Sequence, residues 1–304
     1  MNSNDQESLR ALEARLRTIL PATYQDCYED IQPVSMGSAG LRYQRDGKVA
    51  WDEIWGSFCD LAMAGGPPHK GALLEAASPE DIEAAPEHYA GVVEEICRGV
   101  RMVTEFAATR SRHAGWVRVA CGSREAAEWL VRAVVMENVS AHWKENTILL
   151  PASPNYRVEK EIKNVITAIA KTSHYWVDHT WPSQQREIGE LFAAMAKQHP
   201  LIQPPLSGDS SLTLPDKAAK SILKATGLGA STHTYSGWTG FSCPGISAAI
   251  WMMRALVVSN VLARREGTTL FVAVNSELDP EGEMVVDAVL RVHRFAIAKD
   301  IWRK

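Results

Sequence analysis

Apolar positions recur at helical spacing over residues 6–19, where Leu9, Leu12, Leu16 and Ile19 form one stripe that Pro21 closes. The pattern then shortens. Leu41 to Gln44 and Lys48 to Trp51 read as two strands of a hairpin around Asp46-Gly47, a favoured turn pair. Asp52 suits the cap of a helix running to about Met63, stopped by Gly65-Gly66-Pro67-Pro68. A longer helix is expected over residues 86–108.

From Gly115 the chain reads strand, helix, strand, strand, helix. Trp116 to Cys121 is the first strand, and Ser123 caps a helix with Glu125 and Glu128 in its first turns. Asn138 suits the left-handed residue that stops a helix. Val139 to Trp143 and Thr147 to Leu150 make a hairpin around Lys144-Glu145-Asn146, and a helix follows from Val158 to Trp176. The same reading returns later: a strand at Trp238 to Cys243, a helix at 246–259, a hairpin at Arg265-Glu266-Gly267 and a helix at 281–301. Helices at 184–198 and 216–226 lie between, around a Pro- and Ser-rich connector from His199 to Pro215.

Gly115 to Leu150 of the first passage aligns without a gap onto Gly237 to Val272 of the second, at an offset of 122 positions. Gly115, Trp116, Cys121, Ala126, Ala127, Trp129, Arg132, Ala133, Val135, Asn138, Val139, Ala141 and Thr147 meet identical residues in the second passage. The fold expected is α+β, an internal duplication of a strand-helix-strand-strand-helix unit. Two pseudo-twofold halves would carry mixed or antiparallel sheets flanked by helices. The divisions are an N-terminal helix and loop at 1–40, a first half at 41–182 with its repeat at 115–176, and a second half at 183–304 with its repeat at 237–301.

The copies differ on one helix face. Arg124, Glu128 and Arg132 form a charged i, i+4, i+8 stripe, expected to be solvated and salt-bridged. Their counterparts are Ile246, Ile250 and Arg254. Either the chain itself covers that apolar face, or a second copy does so in a homo-oligomer joined through the 246–254 helix.

Composition narrows the classes. The chain has 304 residues, a net charge of −4 and 46% apolar residues, with no basic footprint for nucleic acid. Five scattered cysteines without a C-x-x-C pair argue against a cysteine-built zinc site and against a disulfide framework. No run reads as a membrane span or a signal peptide, so the cytoplasm is the expected location. Cys121 and Cys243 are expected to be buried, small apolar residues of their strands.

Chemistry is expected where the copies differ. Gly65, Gly66, His69 and Lys70 lie in a loop whose backbone N–H groups and ammonium suit an anion; the plain alternative is a helix stop and rigid turn. Ser35 to Gly40 is a similar small-residue loop. Lys160, Lys163, Asn164, Lys171 and His174 lie away from the buried stripe of their helix and suit a phosphate or carboxylate, or simply a solvated face. His174, Asp178 and His179 invite a metal, but an i, i+5 spacing does not put both imidazoles on one helical face, so no metal is assigned. Around residues 231–243, hydroxyls interleave with aromatics, and His233, Tyr235 and Gly237 alternate onto one face if the strand starts early.

The expectation is a protein that binds a small, anionic metabolite in a cleft between the halves. Gly65, Gly66 and Lys70 hold the charged end. Lys160, Lys163 and His174 line one wall, and Tyr235 with His233 the other. His69 or His233 is the general acid or base if a reaction is run. The sequence specifies no cofactor and names no reaction. The alternatives are a non-catalytic scaffold or regulator that binds a protein through an apolar helix face, and a metal-dependent hydrolase using His174, Asp178 and His179.

Overall fold

A computed structural model describes residues 3–21, 25, 40–54, 63, 72–206 and 213–303. Among these the chain is α+β, with nine α-helices and two antiparallel sheets. It divides into two compact units. A central unit comprises residues 31–62 and 66–185, and a terminal unit comprises residues 1–30, 63–65 and 186–304.

In the central unit, α2 (Pro79–Ala84) and α3 (Pro86–Val103) precede β1 (Ala107–Arg110) and β2 (Trp116–Ala120). Next come α4 (Arg124–Met136), β3 (His142–Lys144) and β4 (Thr147–Pro151). A π-helical stretch, Val158–Ile162, then leads into α5 (Lys163–Asp178). The strands run antiparallel in the order β1-β2-β4-β3. Val117 and Val119 of β2 point into the core while Arg118 between them faces water, the alternation of a half-buried strand.

The terminal unit contains α1 (Ser3–Ile19), α6 (Pro182–Gln198) from its fifth residue on, and α7 (Asp216–Thr226). These are followed by β5 (Trp238–Ser242), α8 (Ile246–Val257), β6 (Ala263–Glu266), β7 (Thr269–Ala273) and α9 (Glu283–Ala298). Its sheet has the order β5-β7-β6. The carboxylate of Asp279 accepts the N–H groups of Met284 and Val285 and so caps α9.

Local chemistry sets these elements. Ser123 Oγ accepts the N–H of Ala126 and opens α4, a cap worth about 1 kcal/mol. Asn138, at φ 59°, ends it: the N–H of Asn138 reaches Val135 O, and that of Val139 reaches Val134 O. That pairing is a Schellman stop. Asn260, at φ 62°, ends α8 with the same two bonds, to Val257 O and Leu256 O. Registers agree as well. Trp116 pairs with Pro151 and Ala120 with Thr147; Trp238 pairs with Ala273 and Ser242 with Thr269. Each stop is joined by an upstream residue in a short parallel bridge, Leu74 to Val139 and Ile202 to Val261.

Several expectations change. The helix expected over 86–108 stops at Val103, because Thr104 turns extended and the chain enters β1. The helix expected from Val158 begins as a π stretch. Both sheets are purely antiparallel. The stripe Arg124, Glu128, Arg132 is not solvated: Arg124 is exposed and bridges Glu128 at 2.7 Å, but Glu128 and Arg132 are buried. Every α4 residue from Ala126 to Met136 is buried, so the helix has no wet face beyond its first turn. In α8, Ile250 is wholly buried and Ile246 partly so. Helix α1 packs against α8, and Arg15 donates to Val258 O at 3.4 Å. The predicted hairpin is present as a Tyr43–Val49 bridge closed by Gly47 at φ 79°. Of the helix expected from Asp52, the described part is a 3-10 turn, Trp51–Glu53. No described helix is long and apolar enough to cross a membrane.

Candidate functional site

Gly65, Gly66, His69 and Lys70 lie outside the described residues, as do residues 35–39 of the Ser35 to Gly40 loop.

His233 and Tyr235 are brought together, although not by an early strand. β5 begins at Trp238, and Tyr235 meets Trp238 across a tight turn in which Gly237 has φ 73°. Ser231 Oγ accepts the N–H of His233. The exposed His233 ring stacks edge-on against the buried Tyr235 ring at 4.5 Å, and Tyr235 packs on Phe271 at 5.3 Å. Beneath them is Arg264, which residue pattern alone did not single out. Its guanidinium carbon lies 4.4 Å from the Tyr235 ring centre, 4.2 Å from Phe271 and 5.3 Å from Trp238. Arg264 also bonds Glu266 at 2.7 Å. Burial pulls its pKa down, against the opposing pull of Glu266 and Tyr235. A desolvated cation on aromatic faces is worth about 2 kcal/mol per good contact. The cluster is therefore a packed aromatic–arginine base with an exposed imidazole on top. Arg264 and Arg265 sit side by side on β6 and both are buried, so strand alternation did not predict which would turn inward.

Lys160, Lys163 and His174 do not converge. Lys160 is exposed and lies 3.5 Å from Glu161. Lys163 and His174 are three helical turns apart along α5, a rise of about 16 Å. Lys171, expected on the same wet row, is wholly buried against Glu137.

At the end of α5, three of the expected residues do meet. His174 Nδ1 lies 2.7 Å from Asp178 Oδ2, and His174 Nε2 lies 3.2 Å from His179 Nε2. The i, i+5 spacing is no obstacle, because α5 ends at Asp178 and His179 has stepped off the helix. The His179 ring also packs against Tyr175 at 5.0 Å. Among the described residues, no three or more His, Cys, Asp or Glu side chains are grouped to hold a metal.

A further site was not anticipated. One face of α9 and the last turn of α7 enclose an open hollow of about 570 Å³. Asp287, Arg291, His293 and Arg294 line it with Ala225, Thr226, Leu290 and Ile297. Arg294 bonds Asp5 at 2.9 Å. His293 is only 6% exposed, and among the described residues its Nε2 has no hydrogen-bond partner. Its ring meets Trp302 edge-on at 4.3 Å. Burial lowers its pKa, because desolvation disfavours the charged imidazole. The sequence held a signal here: an Arg-x-His-Arg run, Arg291 to Arg294, within the amphipathic pattern of α9.

Cys121 and Cys243 are buried, as expected, and burial pushes each thiol up to about 12. Such thiols are not nucleophiles near neutral pH. In comparisons with known protein families, curated proteins and solved structures, nothing matched the chain.

Proposed function

We propose that this protein binds a small anionic molecule in the hollow between α7 and α9, through Arg291, Arg294 and His293. The observation that carries the reading is the hollow itself, into which α9 brings Arg291 and Arg294 from one face; His293, whose buried Nε2 lacks a partner among the described residues, lines it as well. Leaving such a nitrogen unsatisfied costs about 1–3 kcal/mol, which a ligand oxygen recovers once the ring turns toward the hollow. Arg291 and Arg294 supply charge of the right sign and a planar fork that suits a carboxylate or phosphate. Asp287 offers an acceptor for a hydroxyl or amine on the same ligand. His69 and His233 keep the acid–base role in the wider reading, on their residue chemistry alone.

The test is isothermal titration of the full chain with inorganic phosphate and with citrate. Wild type binds at least one of them, and Arg291→Gln and His293→Gln each weaken that binding tenfold or more. Equal binding by the variants, or none by wild type, removes the site.

A second reading, a protein that docks a partner, has one observation in its favour. Trp181 is 77% exposed, and Val177 one turn earlier is also largely exposed. Sedimentation velocity separates self-association, which Trp181→Ser would abolish, from a monomer. We also propose that the two strand-helix-strand-strand-helix segments are copies of one ancestral unit; matching registers and matching helix stops at Asn138 and Asn260 support this. The cytoplasm remains the proposed location, in keeping with the free buried thiols of Cys97, Cys121 and Cys243.

A further inference from the structure

We propose that the end of α5 carries a divalent transition-metal site whose two protein ligands are Nε2 of His174 and Nε2 of His179. The two nitrogens face each other at 3.2 Å. Two imidazoles on one tetrahedral zinc, with bonds of about 2.0–2.1 Å, hold their nitrogens about 3.3 Å apart. The ring centres lie 4.9 Å apart. A straight N–H···N bond at this nitrogen separation would push them to about 5.4 Å. The shorter observed value means that the ring axes are tilted off the N···N line. A tilt of both axes toward one side would bring them together roughly 2 Å from each nitrogen, the distance of a bound zinc.

Asp178 provides the outer shell. Its Oδ2 lies 2.7 Å from His174 Nδ1, so Nδ1 carries the proton and the lone pair of His174 resides on Nε2, the ligating nitrogen. A carboxylate behind a metal-bound imidazole raises its basicity and fixes its rotation. His179 follows the last residue of α5 with φ −116° and ψ −1°, and this step off the helix swings its ring back over His174. His179 is exposed and His174 partly so, which leaves the remaining coordination positions to water. Paired imidazoles select zinc, copper or nickel over magnesium or calcium, which prefer oxygen ligands. An open site with two protein ligands binds more weakly than a closed structural site and offers metal-bound water to a substrate or partner.

Titration of the full chain with zinc chloride at pH 7.5 tests this, with copper(II) electron paramagnetic resonance as a second readout. Wild type takes up a zinc equivalent that His174→Gln and His179→Gln each abolish. Asp178→Asn retains the stoichiometry but binds about ten- to a hundredfold more weakly. The copper spectrum of wild type shows two nitrogen ligands, reduced to one in His179→Gln. Because His179 is exposed, its replacement spares the fold, which circular dichroism verifies. No zinc uptake by wild type overturns the proposal, as does unchanged uptake by His179→Gln.

Discussion

Lys171 Nζ lies 2.9 Å from Glu137 Oε2, and neither side chain exposes any surface to solvent. Glu137 closes α4, and Lys171 sits in the middle of α5, which packs against both α3 and α4. A buried pair is held by mutual attraction against two desolvation penalties, so losing one partner strands the other. Glu137→Ala is expected to cost about 3–5 kcal/mol. The double replacement Glu137→Leu/Lys171→Met should regain more than half of that loss. Urea denaturation of wild type, Glu137→Ala and the double variant measures both.

The hairpin turns give a cleaner contrast. Glu145 and Gly267 occupy equivalent turns, each at φ 56°. A left-handed conformation costs an ordinary residue roughly 1 kcal/mol more than glycine. Glu145→Gly is expected to raise the melting temperature by a few degrees, and Gly267→Ala to lower it. A Cβ at Gly267 meets nothing within 4 Å, so only backbone strain is being read.

Gly99 of α3 is a packing glycine. A Cβ there would collide with Cδ1 and Cγ1 of Ile166 on α5 and crowd Trp51. Gly99→Ala should destabilise by about 1–3 kcal/mol through overpacking. Trimming the facing side chain, in Gly99→Ala/Ile166→Val, should recover part of this in thermal denaturation.

Stability should fall with acid through His142. Burial, with His113 and Lys144 nearby, pulls its pKa down to about 4 from an ordinary value of 6.5. As pH drops, the unfolded chain takes up this proton first. The contribution is therefore complete above pH 6.5 and is lost progressively down to about 4, with a slope of at most about 1.4 kcal/mol per pH unit. His293, lowered by the same cause, adds in the same direction. Urea midpoints at pH 7.5, 5.5 and 4.5 should fall less steeply in His142→Gln.

Local signals were legible in the residues: the Ser123 cap, the Asn138 and Asn260 stops and the strand cores around Val117 and Val119 follow from rules spanning a few positions. Lys171, Glu128 and Arg132 defeat such rules. An amphipathic reading assumes one wet face, and α4 and the middle of α5 have none. The candidate chemistry was half legible for the same reason. His233 with Tyr235, and His174 with Asp178, are neighbours in sequence and meet in space. Arg264 beneath Tyr235, and the α7 residues facing His293, are separated from their partners by long stretches of chain, where periodicity carries no information.

The masked reactivity of two cysteines has a practical consequence. Cys121 follows β2 in the central unit and Cys243 follows β5 in the terminal unit, each with its thiol sealed in and held protonated. A thiol-alkylating reagent can reach either one only when its own sheet opens. Pulsed alkylation, resolved peptide by peptide in a mass spectrometer, thus turns the pair into two independent clocks. One keeps time for each unit, and any lag between them gives the order in which the molecule comes apart.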